Sequence, residues 1–493
     1  MKNKIIIALS LITQFSFAQL QNNTWYFSPT NKGIQFDFNT NVPTVITAHT
    51  PLTSLHGCGV AADPASGAIK IYTDGQFVYD AGNFQMPNGG ALNGGVSCAE
   101  KGMIVQVPNS CDSFYVFSNN ADSPNQGSIY YSIVNTSLPG NGSIGQPKGD
   151  VEIASLNTLV MDSSTESYAI APHFGGGNYW LIVPVNNSAN INVYSITRTG
   201  ITFSSTFNTG TVFNSSMSIK YSKLAGKVAY TSVIENDPAI IMDFNSSSGT
   251  LSNATIITGT PVGSCLNLYN GWHDLEFSPD GTKLYLSKYR MYSPASAGRI
   301  YQYDLNFPSS PLTVVFNNPS TDIYKVVTGM QTGPDGKIYF IYYNTTTNDD
   351  RLIGCINSPN LAGILCNVSA AALDLGIAQN GNSRFSKPAF FNRDIFPIIT
   401  INPCSGEGVN ELVNNNNIDI FPNPSAGNIN INLSKLNKTL SLEVFDEIGK
   451  LVYKTELNKM SSVLDFNFLD NGVYIFKFSD KESTEVKRLV VER

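Results

Sequence analysis

Short apolar strands alternate with polar turns along most of the chain. Six times an apolar strand runs into a turn of Gly, Pro, Asp or Ser and then into a second strand rich in Tyr, Val and Ile. These six hairpins are GVAADPASGAIKIY, IVQVPNSCDSFYVFS, AIAPHFGGGNYWLIV, IKYSKLAGKVAYTS, LEFSPDGTKLYLS and MQTGPDGKIYFIY. A third strand follows each of them: FVYD, SIYYSIV, INVYSI, AIIMDF, RIYQYDL or RLIGCI. Each repeat therefore has at least three strands, with room for a fourth.

The spacing of the repeats predicts an all-β fold of a particular kind. The six turns are centred near residues 66, 111, 175, 225, 280 and 335. A mean spacing of about 54 residues, built from antiparallel strands, is typical of a β-propeller. We expect about seven blades, the seventh closed by WYFSPTNKGIQFDF pairing with a strand near SRFSKPAFFN, because such closure removes open sheet edges. A six-bladed ring and a pair of sandwiches are the competing architectures.

The composition changes near residue 418. Residues 418–493 carry 10 basic and 11 acidic residues, whereas the preceding 417 residues carry 20 and 26. Residues 401–417 are polar and rich in Asn, as in a linker. The sequence thus predicts a propeller over 19–400, a linker over 401–417 and a small Ig-like β-sandwich of about seven short strands over 418–493.

The N-terminus has the pattern of a signal peptide. MKNK is basic, IIIALSLI is apolar, and Ser16-Phe17-Ala18 is a small-x-small cleavage site. We therefore predict that residues 1–18 are removed and that the mature protein is exported, without a transmembrane segment. The net charge of −7 argues against a nucleic-acid partner, since no basic face is evident to neutralise phosphates.

The C-terminal motifs resemble a known domain. FPNPSAG, VFDEIGKLVY, LDNGVYIFKF and the terminal KRLVV resemble the type A sorting domain of the type IX secretion system. The resemblance implies a Gram-negative bacterium, recognition by the type IX secretion machinery, and release or attachment at the outer-membrane surface.

The large region resembles exported bacterial β-propeller repeat proteins, including lactonase-like, YVTN-type propellers. The stretches that carry the resemblance are NTWYFSPTNKGIQFDF, HGCGVAADPASGAIKIYTDGQFVYD, MPNGGALNGG, LEFSPDGTKLYLS and GPDGKIYF. It implies the fold and the exported location. It transfers no catalytic residue.

One cluster of titratable residues stands out, at His273, Asp274 and Glu276. In a regular strand His273 faces away from the two carboxylates, so the three groups converge only if a bulge intervenes. The related repeat 55 residues later keeps the Pro-Asp-Gly turn and loses the titratable groups. We therefore interpret the cluster as structural and the SPDG turn as a blade marker.

The other candidates for chemistry are weaker. His173 lies in a Gly-rich hairpin loop, His49 and His56 lack a third metal ligand nearby, and the TNDD stretch at 347–350 lacks a calcium-loop pattern. No GxSxG nucleophile motif is present. The sequence accordingly assigns no catalytic, cofactor-binding or metal-binding residue and implies no cofactor.

Seven cysteines, an odd number, lie before residue 405. Export permits disulfides, and we expect at least one. Cys98 with Cys111 and Cys355 with Cys366 are the pairs closest in sequence, although spacing alone does not assign the pairing.

Taken together, these patterns favour a secreted or surface-attached propeller that acts as a binding or adhesion module, with a glycan or a surface protein as ligand. The alternative is an extracellular enzyme, either a lactonase-like or a polysaccharide-active hydrolase; a structural surface-layer component is a third. Three or more ionisable side chains meeting at the central channel would favour the enzyme.

Overall fold

The chain forms two compact units, residues 1–404 and 405–493. The computed structural model describes residues 20–28, 30–47, 52, 57–64, 66–95, 98, 102–121, 127–174, 176–213, 218–232, 238–257, 271–288, 298–317, 327–342, 351–376, 384–385, 387–388, 418–423, 425–433, 439–446, 450–479 and 484–492.

The described residues of the first unit form 29 strands and three short 3₁₀ helices. Its first fifteen strands are β1 (Thr24–Ser28), β2 (Lys32–Phe36), β3 (Pro43–Thr47), β4 (Gly59–Ala62), β5 (Ile69–Thr73), β6 (Val78–Asp80), β7 (Gly102–Gln106), β8 (Ser113–Asn119), β9 (Gly127–Asn135), β10 (Asp150–Val151), β11 (Thr158–Ser164), β12 (Ala169–Pro172), β13 (Tyr179–Pro184), β14 (Ser188–Thr197) and β15 (Gly200–Phe213). The others are β16 (Ser218–Ser222), β17 (Lys227–Thr231), β18 (Ala239–Asn245), β19 (Thr250–Ile257), β20 (Trp272–Phe277), β21 (Lys283–Lys288), β22 (Arg299–Asp304), β23 (Thr313–Asn317), β24 (Val327–Thr332), β25 (Ile338–Tyr342), β26 (Leu352–Ile356), β27 (Val368–Asp374), β28 (Arg384–Phe385) and β29 (Lys387–Pro388). The 3₁₀ helices are Leu20–Asn22, Ile153–Ser155 and Gly363–Cys366.

These strands form seven sheets, which we number in chain order. They are sheet I (β28-β1-β2-β3), sheet II (β29-β4-β5-β6), sheet III (β7-β8-β9 with β10 and β11 both on β9), sheet IV (β12 to β15), sheet V (β16 to β19), sheet VI (β20 to β23) and sheet VII (β24 to β27). Every pairing is antiparallel except that of β29 with β4. All six hairpins and all six third strands expected from the sequence are present.

The fourth position of each sheet is the variable one. Sheets IV to VII have a regular fourth strand, whereas in sheet III the 3₁₀ helix Ile153–Ser155 splits it into β10 and β11. In sheet II, β29 is added at the inner side of β4, the three consecutive strands are β4, β5 and β6, and the MPNGG segment takes the position outside β6. Val78 of β6 exchanges backbone hydrogen bonds with Met86 and Gly89 at 2.9 and 2.8 Å. This pairing explains what the MPNGG motif does in the fold.

The two ends of the unit close a single sheet, as the sequence predicted. Phe27 and Ser28 of β1 pair with Phe385 and Arg384 of β28. Trp25, which is fully buried, then packs edge-on against Tyr339 of sheet VII with ring centroids 5.8 Å apart. Closure thus joins the first strands of the chain to the last sheet.

The sheets form a closed ring around a channel. Strands of neighbouring sheets contact one another around the ring: β1 with β4, β4 with β7, β12 with β16, β16 with β20, β20 with β24, and β24 with β28. A shared apolar cluster that includes Val105 and Ile170 joins sheets III and IV. Such radial sheets packed face to face, each made of consecutive antiparallel strands, are a β-propeller, and the expected fold class is confirmed.

A polar residue ends the third strand of every blade. These residues are Asp37, Asp80, Asn135, Thr197, Asn245, Asp304 and Asn357. In the first six the side-chain oxygen accepts the backbone N–H two residues later, at 2.7 to 3.3 Å, and so stabilises the turn to the outer strand. Asn357 instead donates its side-chain N–H to the carbonyl of Asn367 at 2.8 Å. This repeat was missed in the sequence, although it recurs in all seven sheets.

The second unit is a small β-sandwich. Its strands are β30 (Ile418–Phe421), β31 (Asn428–Leu433), β32 (Leu440–Phe445), β33 (Leu451–Leu457), β34 (Ser461–Asp465), β35 (Gly472–Ser479) and β36 (Thr484–Val491). They form two sheets, β30-β31-β34 and β33-β32-β35-β36. Alternate residues of LSLEVF and VYIFKF point into one core that includes Leu442, Phe476 and Phe478. The expected seven short strands are all present.

The expected disulfides are wrong for the five described cysteines, which are all free thiols. Cys355 and Cys366 pack into different apolar clusters, on opposite faces of sheet VII. Cys98 and Cys111 lie at opposite ends of β7, a strand about 16 Å long, whereas a disulfide needs Cα atoms within about 7 Å. Cys265 and Cys404 lie outside the described residues.

Candidate functional site

The two carboxylates of the sequence cluster lie on β20, the innermost strand of sheet VI. Asp274 Oδ2 accepts the backbone N–H of Met330 at 2.7 Å, and Glu276 Oε2 accepts that of Thr332 at 3.2 Å. Met330 and Thr332 belong to β24, the innermost strand of the next sheet. An inner strand has one edge open to the channel, so its outward N–H groups need partners. The carboxylates supply them.

A lysine that sequence analysis missed completes this group. Lys220 Nζ lies 2.7 Å from Glu276 Oε2 and also donates to the carbonyl oxygen of Met330. The side chains of Lys220 and Glu276 are 11% and 13% exposed, so the ion pair is largely shielded from water. Since Lys220 lies on β16, this group joins the inner strands of sheets V, VI and VII. No local motif marks Lys220, because its partner is 56 residues away.

The assumption of regular alternation at His273 is wrong. The pairing of β20 with β21 shifts register between Trp272 and Asp274, so that His273 sits in a β-bulge. The same shift occurs in sheet VII between Val327 and Gly329. Because the bulge recurs in a repeat that has no histidine, it belongs to the blade architecture. His273 itself is buried, at 4% exposure.

Three ionisable side chains meet here, as the criterion for an enzyme requires: Lys220, Asp274 and Glu276. Their chemistry is nevertheless constrained by the bonds just described. Asp274 also accepts the N–H of Leu275 at 2.8 Å, and Glu276 accepts that of Phe277 at 3.1 Å. All four carboxylate oxygens are therefore hydrogen-bonded within the protein. This arrangement ties three blades together.

The SPDG turn has the local structure expected of a blade marker. Asp280 Oδ1 accepts the hydroxyl of Ser278 at 2.6 Å and the N–H of Thr282 at 3.0 Å. Burial opposes ionisation of Asp280, but these hydrogen bonds outweigh it and hold its pKa below the ordinary value. Gly281 has φ +70°, which a glycine adopts without strain.

Of the remaining candidates from the sequence, the structure describes His173. The ring of His173 stacks on Trp180, with ring centroids 5.5 Å apart. The backbone N–H of His173 donates to the backbone carbonyl of Asn178 at 3.0 Å in the hairpin turn. His49, His56 and 347–350 lie outside the described residues. Within the described part of the chain, no three His, Cys, Asp or Glu residues are grouped so that they could hold a metal ion.

One end of the ring carries exposed apolar side chains from every sheet. We define the turn face as the end at which the innermost strand and the third strand of each sheet finish. Large apolar side chains on it, one from each of sheets I to VII in order, are Phe38 (56% exposed), Phe84 (61%), Ile144 (92%), Phe174 (72%), Leu224 (65%), Phe307 (66%) and Ile364 (91%). Sequence reasoning missed them because apolar residues beside turns look like strand ends.

Neighbouring sheets contact one another at this face. Phe174 donates its backbone N–H to Ser246 of sheet V at 3.0 Å, and Asp280 donates its N–H to the side chain of Asn360 in sheet VII at 3.3 Å. The ammonium group of Lys148 lies over the ring of Phe84, 5.4 Å from its centroid. These contacts fix the turns of neighbouring sheets relative to one another.

The opposite end of the ring has a different character. Small polar side chains are buried where the second strands finish and the inner strands begin, among them Thr73, Asp74, Ser118, Asn119, Ser164, Thr165, Ser218, Thr231 and Ser287. The side-chain amide of Asn119 donates to the carbonyl of Thr165 at 2.9 Å and so links sheets III and IV. This buried hydrogen bond connects two neighbouring blades.

Comparison with known proteins identifies the C-terminal unit. Residues 419–492 match the family described as the secretion system C-terminal sorting domain. The chain therefore carries the sorting domain that its motifs resembled, which implies export to the cell surface or the extracellular space. No curated protein matches the chain.

Solved structures resemble much of this chain at low sequence identity. A protein from Lactobacillus plantarum is 12% identical with a TM-score of 0.42, over 72% of this chain and 95% of that one. The periplasmic gluconolactonase of Pseudomonas aeruginosa is 11% identical with a TM-score of 0.33, over 79% and 96%. The Dos1 propeller is 13% identical with a TM-score of 0.35, over 63% and 70%. The propeller assignment rests on the sheet topology.

Among the described residues, no helix is both long and apolar enough to cross a membrane.

Proposed function

We propose that this protein is a type IX secretion substrate whose propeller acts as a binding or adhesion module through its turn face. The observation that carries the proposal is that each of the seven sheets presents a large apolar side chain there, at least 56% exposed. Apolar side chains scattered singly over a surface are normal, whereas a set gathered on one surface marks a contact site, and these seven share one end of the ring.

The energetics suit recognition by several positions at once. Full burial of one Phe or Ile against a partner contributes about 2–3 kcal/mol. Since Phe84 and Phe174 lie on turns fixed by hydrogen bonds, little conformational entropy is lost when they are covered. A few such anchors are enough for a specific interface. A surface protein or a glycan is the ligand class that we propose.

The domain organisation that accompanies this proposal follows the sequence boundaries. A signal peptide over 1–18 directs export from the cytoplasm, the propeller over 19–400 binds the ligand, and 401–417 links it to the sorting domain over 418–493. The producing organism is then a Gram-negative bacterium, and the mature protein is released or attached at the outer surface.

The test is a binding screen of the full chain against arrayed glycans and matrix proteins. Phe174→Ser and Phe307→Ser should each weaken binding of any ligand found by about tenfold or more, as expected for the loss of one buried aromatic anchor. Phe203→Ser is the matched control, because Phe203 is 59% exposed but lies on the outer strand β15. Equal loss in all three variants would count against the turn face.

The second candidate function is hydrolysis in the channel. It is favoured by the meeting of Lys220, Asp274 and Glu276, where Glu276 retains 13% side-chain exposure. The same purified chain should be assayed with lactone and polysaccharide substrates. Turnover that disappears in Glu276→Gln while the fold is retained would establish the hydrolase in place of the binding module.

A further inference from the structure

Most of the outermost strands that the structure describes in the propeller are interrupted by bulges. A strand at the edge of a sheet offers unpaired N–H and C=O groups to other chains, and β-bulges are one way to prevent such pairing. Register shifts interrupt β11, β15, β19, β23 and β27. In sheet II the MPNGG segment covers β6. By contrast, β3 of sheet I pairs with β2 over five residues without a shift, from Lys32↔Thr47 to Phe36↔Pro43.

The hydrogen bonds around β3 show which of its groups face outward. The backbone N–H of Asp37 donates to the carbonyl of Val42 at 3.0 Å, so these two residues are a hydrogen-bonded pair across the hairpin. From there, hydrogen-bonded and non-hydrogen-bonded pairs alternate along the two strands. The backbone N–H of Phe36 donates to the carbonyl of Asn23 at 2.7 Å and not to a residue of β3, which agrees with that alternation. The backbone groups of Pro43, Val45 and Thr47 therefore point away from β2.

This open edge is uncharged and flanked by apolar residues. PTVIT contains no charged residue, and Phe38 and Val42, just before it, are 56% and 55% exposed. The outer strand β27 of sheet VII contacts β3 but hydrogen-bonds to β26. Among the described residues, no strand pairs with the outward edge of β3.

We propose that β3 is a dimerisation edge, which pairs antiparallel with β3 of a second copy about a two-fold axis at Val45. This register places Val45 opposite its own counterpart and Thr47 opposite Pro43. The N–H groups of Val45 and Thr47 then donate to the carbonyls of Val45 and Pro43 of the other copy, four hydrogen bonds in all. Proline, which has no N–H, occupies a position where the partner offers a donor. An isologous interface of this kind closes at the dimer.

The test is sedimentation velocity of the full chain over a range of concentrations. The parent protein should dimerise, and Val45→Pro should weaken the dimer about 10- to 30-fold, because it removes two of the four outward N–H donors. Val45→Thr is the matched control, since it keeps the donor and the β-branched shape, and should leave the dissociation constant within about twofold.

Thermal unfolding of each variant shows whether the fold is retained. If Val45→Pro does not fold, Thr47→Pro removes the other outward donor and should weaken the dimer to a similar extent. A parent protein that stays monomeric up to about 200 µM would overturn the proposal, since an interface weaker than this falls below the range of specific association. So would a dimer that neither proline variant weakens.

Discussion

Lys220 and Glu276 form an ion pair with Nζ and Oε2 2.7 Å apart, although they lie on the inner strands of two different sheets. Through its second bond to Met330, Lys220 also reaches the inner strand of a third sheet. The pair therefore stabilises the ring between sheets V and VII, where the inner strands have an edge open to the channel.

Removing one partner of this pair should destabilise the propeller strongly. Lys220→Met leaves the largely buried Glu276 carboxylate without its counter-ion, and we expect a loss of about 3 kcal/mol in the free energy of unfolding. The double substitution Lys220→Met with Glu276→Leu should lose less than the sum of the single substitutions, since no unpaired charge remains. Denaturant unfolding of the four proteins measures the coupling. Additive losses would mean that the two residues act independently.

The two Pro-Asp-Gly turns provide a matched pair of glycines. Gly281 and Gly336 have φ of +70° and +74°, but a Cβ at Gly281 would lie 2.6 Å from the backbone nitrogen of Ala225, whereas at Gly336 it would meet open space. Gly336→Ala should therefore cost only the conformational strain, about 1 kcal/mol. Gly281→Ala should cost about 1–2 kcal/mol more, because the turn must shift from sheet V. Equal losses in the two variants would contradict the close approach of the Gly281 turn to Ala225 of sheet V.

Stability should fall in acid partly because of Asp280. Its pKa is lowered in the folded protein by hydrogen bonds from Ser278 and Thr282 that outweigh its burial, so folding favours the carboxylate form. The stabilisation is complete above the ordinary pKa of about 4 and is lost as the pH falls through the lower folded value. Asp280→Asn should thus be less stable than the parent at pH 7, by less than about 1 kcal/mol because Asp280 is exposed and solvent screens its interactions, and the difference should shrink towards pH 2. A difference independent of pH would contradict this linkage.

Thiol accessibility distinguishes the described cysteines. Burial raises the pKa of Cys355 to about 12 and also raises the pKa of Cys366, so neither forms a thiolate at pH 8. Cys111, which is half-exposed, should be alkylated in the native protein. Peptide mapping after iodoacetamide treatment should show modified Cys111 with Cys355 and Cys366 protected until the chain is unfolded. A disulfide-linked peptide containing two of these three residues would contradict the free thiols.

The sequence by itself determined the architecture. Period-two strands and turns rich in Gly, Pro, Asp or Ser, with a mean spacing of about 54 residues, specify antiparallel sheets of one repeated kind, because strand periodicity and turn geometry are local properties. The six capping residues from Asp37 to Asp304 carry the same information, since each accepts a backbone N–H only two residues away, whereas Asn357 bonds to Asn367. The sorting domain could also be recognised from the sequence, because each of its motifs is a continuous stretch of residues.

Only the tertiary structure decided what surrounds each side chain. The partners of Lys220, Asp274 and Glu276 lie one or two repeats away in sequence, and a single bulge at His273 altered the alternation on which their orientation was argued. Cys355 and Cys366 are close in sequence but separated by the thickness of a sheet. The turn face likewise exists only because closure of the ring brings seven distant turns to one end. Long-range packing sets these relationships, and no local pattern encodes it.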